Sequence, residues 1–290
     1  MNHILSLLLA LGLTTAVSAQ NDSRVDAING SSNNTVDIDQ AGSANTVGTA
    51  SVAESGVLLS YADKNDVDID QIGIGNSATT KVGGGAPFAQ SDLNTVKIHQ
   101  TSASLGNSAD VNLANDTDKT DVDIRQNGES NEARVGSFNS MLNEIEFDQD
   151  GTGSRAVTRI VAGSDRNDLQ VDQDGNDHEA VVEFKNDADR NGDGGTGPLD
   201  KFRIKQDGDR HMATVLIDGG DRNGVDIKQT GADHVIDAND NPFGTADGLV
   251  ILGLKNYTEV DQSGFGGGSG HSYSQLIAGD SNVLNVTQSD

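Results

Sequence analysis

Asp187, Asp189, Asn191 and Asp193 stand at alternate positions around Gly192. Oxygen donors at that spacing open an EF-hand-type calcium loop. The bidentate Glu that closes such a loop is missing, because Pro198 holds its place. The competing reading is a plain acidic insertion. His178, His211 and His234 each lie five residues after a Gln, namely Gln173, Gln206 and Gln229. Stacked, they would form a short imidazole ladder with metal or pH chemistry; otherwise they are polar corner residues. The carboxylates are repetitive rather than convergent. Asp37, Asp68, Asp123, Glu146, Asp226 and Glu259 recur at one outward position, and Asp39, Asp70, Asp148, Asp172 and Asp261 at another. They form a solvated face, or a charge brake on stacking that a cation or acid would release. Lys201, Arg203 and Lys205 are placed to bridge acidic neighbours. There is no Ser-His-Asp logic, phosphate loop or zinc spacing. Gly264–Gly270 (GFGGGSG) reads as a turn insertion. The chain reads as a non-enzyme, without a cofactor unless calcium binds.

What must position these residues is a repeat. Ten Gln anchors recur: Gln40, Gln71, Gln100, Gln126, Gln149, Gln173, Gln206, Gln229, Gln262 and Gln288. Six residues before the anchor stands Asn34, Asn65, Asn94, Asn143, Asn167, Asn223, Asn256 or Asn282, with Thr120 and Asp200 in the other two copies. Two residues after it stands Gly42, Gly73, Gly128, Gly151, Gly175, Gly208, Gly231 or Gly264, with Ser102 as the exception. Two residues before it is always apolar, from Ile38 and Ile69 to Phe147 and Val286.

The motif Asn–x–Val–x–Ile–x–Gln alternates strictly. A period of two means a β-strand with one buried face. Val and Ile suit that setting. A looser second strand follows, Asn–x–Ala–x–Val, as in Asn131–Ala133–Val135. One strand pair cannot bury its apolar face alone, but stacked pairs close a thin core. A buried amide normally costs free energy. In a ladder each amide donates to one copy and accepts from the other, so the Gln must recur. Gly recurs because the turn beside it needs a permissive backbone. The expected fold is all-β: a β-solenoid of about ten strand-turn-strand repeats forming two facing parallel sheets.

The bulk composition agrees. Aromatics are 3% of 290 residues, Cys and Trp are absent, and the formal net charge is −26. Such a charge repels nucleic acid and anionic lipid. Residues 1–19 read as a secretory signal, with an apolar run at 4–13 and Val17 and Ala19 at the cleavage site. Residues 20–33 read as an N-terminal segment or partial repeat, and 34–290 as the solenoid. No other stretch is apolar enough to insert in a membrane.

This pattern resembles the curlin repeat of curli, the secreted bacterial amyloid. Asn65–Gln71–Gly73–Asn76–Ala78 matches that repeat fully, and Asn34–Gln40–Gly42–Asn45 nearly so. The chain departs in mostly lacking the second Gln that closes the family's second strand, and in having more copies. The resemblance implies a structural subunit of an extracellular fibre at the cell surface, serving adhesion, aggregation and biofilm matrix. Its partners would be copies of itself, a nucleator subunit and an outer-membrane secretion channel. The last repeat (Asn282–Gln288) runs almost to the terminus and would present an edge able to template another chain. The alternative is a monomeric secreted β-solenoid that binds polysaccharide, ice or calcium.

Overall fold

A computed structural model of the chain describes residues 21–23, 25–28, 33–48, 57–60, 62–83, 92–114, 118–138, 143–160, 167–186, 188–189, 191, 202–236, 248–264 and 270–289. The expected leader, residues 1–19, lies outside them. The described residues form strands and turns, without helices. They build a β-solenoid of two parallel sheets. A ten-stranded sheet carries the Gln anchors, from Thr35–Ser43 through Glu144–Thr152 to Val283–Ser289, stacked in chain order. The second sheet is fourteen-stranded and holds the return strands, among them Ser77–Val82, Glu132–Phe138 and Met212–Asp218.

Register follows the motif without a slip. Gln40 faces Gln71, Gln126 faces Gln149, and Gln262 faces Gln288. Insertions of unequal length leave this pairing unchanged, because the buried face fixes it. A one-residue slip would turn every Val and Ile to water.

Alternation sets the core. Val67 and Ile69 are fully buried, while Asp66 and Asp68, which alternate with them, are exposed. Ile98, Ile124, Phe147, Val171 and Ile204 continue the column from one level to the next. The second sheet contributes a column of small residues in register: Ala78, Ala109, Ala133, Ala156, Ala180 and Ala213. The core is therefore thin and continuous. Each buried Ile contributes roughly 1.5–3 kcal/mol.

Within the segment 20–33, two short described strands join the fold. Asp22–Ser23 pairs with Thr46–Val47, and Val25–Ile28 pairs with Val57–Ser60. Asn21 Nδ2 donates to Gln40 O at 3.0 Å. Asp22–Ser23 and Val25–Ile28 thus stand in the second sheet one level before the return strands that follow Gln40.

The recurring Gly has the permissive backbone its place beside the turn predicts, and a second reason besides. Gly42, Gly128, Gly151 and Gly175 lie inside the Gln strands with φ between +112° and +139°. A Cβ on Gly151 would stand 1.7 Å from the Gly175 carbonyl oxygen. At that φ a side chain would point into the backbone of the next level; Ser102, in register with Gly73, carries one without a positive φ. The corner itself is turned two residues later by left-handed residues that need not be Gly: Ala44, Ser130, Asp177, Arg210 and Asp233, at φ 55–61°.

Candidate functional site

The polar residues inside this core form three ladders. The first is the Gln ladder. Each Nε2 donates to the Oε1 of the next level: Gln40 to Gln71 at 2.7 Å, then Gln71 to Gln100, Gln100 to Gln126 and Gln126 to Gln149, each at 2.8 Å. Gln149 to Gln173 is longer, at 3.3 Å. The run resumes with Gln206 to Gln229 and Gln229 to Gln262 at 2.8 Å, and ends with Gln262 to Gln288 at 2.7 Å. Nε2 also donates to a backbone carbonyl of the opposite sheet, as from Gln71 to Thr46 O at 3.3 Å and from Gln229 to Met212 O at 3.1 Å. The ladder thus ties levels together and the two sheets to each other. One level is unjoined: Gln173 and Gln206 are register partners, yet Gln206 Oε1 has no hydrogen-bond partner.

The second ladder is the Asn column that precedes each Gln strand. It does not work amide to amide throughout. The Asn Oδ1 accepts the backbone N–H of the next level, as from Asn65 to Asn34 and from Asn94 to Asn65, each at 2.8 Å. The Asn143, Asn167, Asn223 and Asn256 side chains do the same for the levels that follow them. Asn191 belongs to this column. Its N–H donates to Asn167 Oδ1 at 3.0 Å, and its own Oδ1 accepts from Asn223 N–H at 2.7 Å. It fills the place expected of Asp200, which lies outside the described residues.

That placement bears on the calcium loop. Asn191 is fully buried, with its oxygen turned to the ladder rather than to an ion site. Asp189 O accepts from Arg222 N–H at 3.0 Å. Asp187 and Asp193 lie outside the described residues. Among the described residues no three His, Asp or Glu side chains converge as metal ligands.

The third ladder occupies the opposite corner. It begins with Asn21, Asn45, Asn76, Asn107 and Asn131, each Oδ1 accepting the next level's N–H at 3.0–3.1 Å. After Ser154 it changes to His178, His211, His234 and His271. The rings stack with centroids 5.0–5.1 Å apart and planes within 4°. His271 was not legible by spacing, because the Gly264–Gly270 insertion moves it nine residues from Gln262. Each Nε2–H donates to a backbone carbonyl: Asp174, Asp207, Thr230 and Ser263, at 3.0–3.2 Å. Nδ1 of His178, His211 and His234 accepts the next level's N–H at 3.1–3.3 Å. Both ring nitrogens of these three are therefore occupied, which leaves no lone pair for a metal. Burial is the main force that lowers the His178 pKa, and it pushes His211 down to about 4.

The outer faces carry the charge. Asp37 lies beside Asp68, and Asp39 beside Asp70. Farther along, basic residues interleave. His99 Nδ1 is 3.0 Å from Asp70, Arg125 is 3.6 Å from Glu146, and Lys205 and Arg203 are 3.1 and 3.9 Å from Asp172. Arg155 sits between Glu132 and Glu179 on the other sheet. Lys201 lies outside the described residues. Asp148 stacks on Asp172, and its carboxyl is pushed up first by burial and then by that neighbour. Neither protein-family models nor curated proteins nor solved structures give a match to this chain.

Proposed function

We propose that this chain is a structural subunit that adds copies of itself end to end, forming an extracellular curli-like amyloid fibre for adhesion and biofilm matrix. The observation that carries the reading is the direction of the Gln ladder. Every bond in it runs from Nε2 toward the C-terminal neighbour. Gln40 therefore presents an acceptor at one end and Gln288 a donor at the other. A following copy in the same orientation would continue the ladder. Asn282 Oδ1 would likewise accept the Asn34 N–H of that copy.

The end faces suit such a joint. Among the described residues, Thr35–Ser43 pairs only with Asp66–Ile74, and Val283–Ser289 only with Tyr257–Gly264. Val36 and Ile38 are half-buried at one end, as are Leu284 and Val286 at the other. Stacked ends would complete both. Val283–Ser289 contains no charged residue, so it can lie beside Asp37 and Asp39 without repulsion. Secretion through an outer-membrane channel, and a nucleator subunit, belong to the same proposal and rest on the curlin resemblance. No catalytic role is assigned.

The test follows growth from denaturant of residues 20–290 by thioflavin fluorescence, with and without calcium and at pH 5 and 7. Seeded, lag-limited growth into fibres with a spacing of about 4.8 Å along the axis is expected. A folded chain that stays monomeric at high concentration would overturn the proposal, and would favour a solitary binding solenoid.

A further inference from the structure

One corner of the solenoid is built in two chemistries. In Asn45 and Asn76, Nδ2 donates to the backbone carbonyl four residues earlier, at 3.2 and 3.0 Å. Oδ1 accepts the next level's N–H. His178, His211 and His234 reproduce that pair of bonds with Nε2–H and Nδ1. Neutral imidazole offers one donor and one acceptor, as this corner of the backbone requires. Only the Nε2–H tautomer fits, since Nδ1 faces a donor.

The two chemistries differ in one property. A carboxamide does not titrate near neutral pH, whereas imidazole does. A proton on Nδ1 would set a donor against the next level's backbone N–H. It would also place a cation in a buried site, about 5 Å from rings of the same kind. The charged groups facing the stack do not compensate. Asp174 and Asp209 favour a charged His178, and Asp233 a charged His211, yet burial dominates at both rings. Asp233 is already engaged by Arg210 at 2.6 Å. His178 and His234 each disfavour a proton on His211.

We propose that the His178–His211–His234 corner is a proton-operated latch: it holds its levels closed near neutral pH and opens them in mild acid, while the Asn-cornered levels stay closed. Opening takes up protons. Each histidine that must charge to open makes opening about tenfold easier per pH unit below its free pKa. The latch does not depend on fibre formation and can be read on a single chain or within an assembly.

The test is amide hydrogen exchange of the full mature chain between pH 7.5 and 4, corrected for intrinsic exchange. Protection at His178, His211, His234 and their hydrogen-bonded neighbours is expected to fall at least about tenfold more than at Asn45, Asn76 and Asn131. The double variant His211→Asn with His234→Asn keeps both bonds of the corner. It is expected to retain neutral-pH protection and to lose most of the acid response. Ring nitrogen NMR of the unsubstituted chain provides a second readout, independent of how the variant folds. Neutral Nε2–H rings that charge only as these levels open support the latch. Uniform acid loss along the whole solenoid would overturn it, as would rings that charge without opening, or an unchanged acid response in the variant.

Discussion

Gln206 faces Gln173 across the one level of the Gln ladder that no hydrogen bond joins. Gln173 itself holds only long bonds, accepting from Gln149 at 3.3 Å and donating to Arg155 O at 3.4 Å. Stacked repeats contribute stability through nearest neighbours, so a weak joint localises opening. Gln173→Leu should therefore cost less than Gln126→Leu, which breaks two bonds of 2.8 Å. The expected difference is about 1–2 kcal/mol, read by denaturant melts of the two variants. Equal costs would mean that the ladder bonds do not govern the joint.

Thr120 interrupts the Asn column. Its Oγ1 is buried without a partner, and so is Asn143 Nδ2 above it. Thr120→Asn would give Asn143 the acceptor that Asn34 gives Asn65 at 3.1 Å. The substitution should raise stability by about 1 kcal/mol. An unchanged or lowered melting point would refute the repair.

Two glycines make opposite predictions. Gly151→Ala would drive a Cβ to 1.7 Å from the Gly175 oxygen at φ +139°. No local adjustment relieves contact with a stacked backbone, so the cost should reach about 3 kcal/mol. Gly136→Ala meets nothing closer than Thr158 O at 3.9 Å. It should leave stability within about 0.5 kcal/mol or improve it. Thermal melts of the pair test whether a positive φ together with close level spacing demands glycine.

Asp148 is raised above its ordinary value of 3.8 by burial and by Asp172. A carboxyl whose folded pKa lies above its unfolded one destabilises the fold when ionised. That cost is present at neutral pH and disappears as pH falls below 3.8. Asp148→Asn should add about 0.5 kcal/mol at pH 7, given solvent screening, and nothing at pH 3. A gain that persists at pH 3 would point to packing instead of charge.

The sheets and their register were legible because a strand writes its buried face into the chain at a period of two. Gln, Ile and Asn at fixed offsets left one way to stack the levels. Asn191 and His271 were not legible. Asn191 lies fifteen residues before Gln206, not six, and His271 nine after Gln262, not five. Spacing counts residues along the chain, whereas a corner is a place in the stack. A loop inserted beside a corner changes the first and leaves the second untouched. Asn21 was hidden for a related reason, since no Gln stands five residues before it. The need of Gly for a permissive backbone was legible, whereas the close approach of the next level's backbone was not, because both select the same residue.

The ordered amides of the Gln ladder also make the long axis electrically directional. Within a run of donor-acceptor amides, each bond polarises the next. Their dipoles add as those of peptide groups do in a helix, leaving partial positive charge beyond the last Nε2–H and partial negative charge beyond the first Oε1. The interruption between Gln173 and Gln206 divides this column into two shorter dipoles. In a filament of such units the two tips would present opposite fields to an arriving molecule. Growth would then run at different rates from the two tips, and salt would narrow the gap between them.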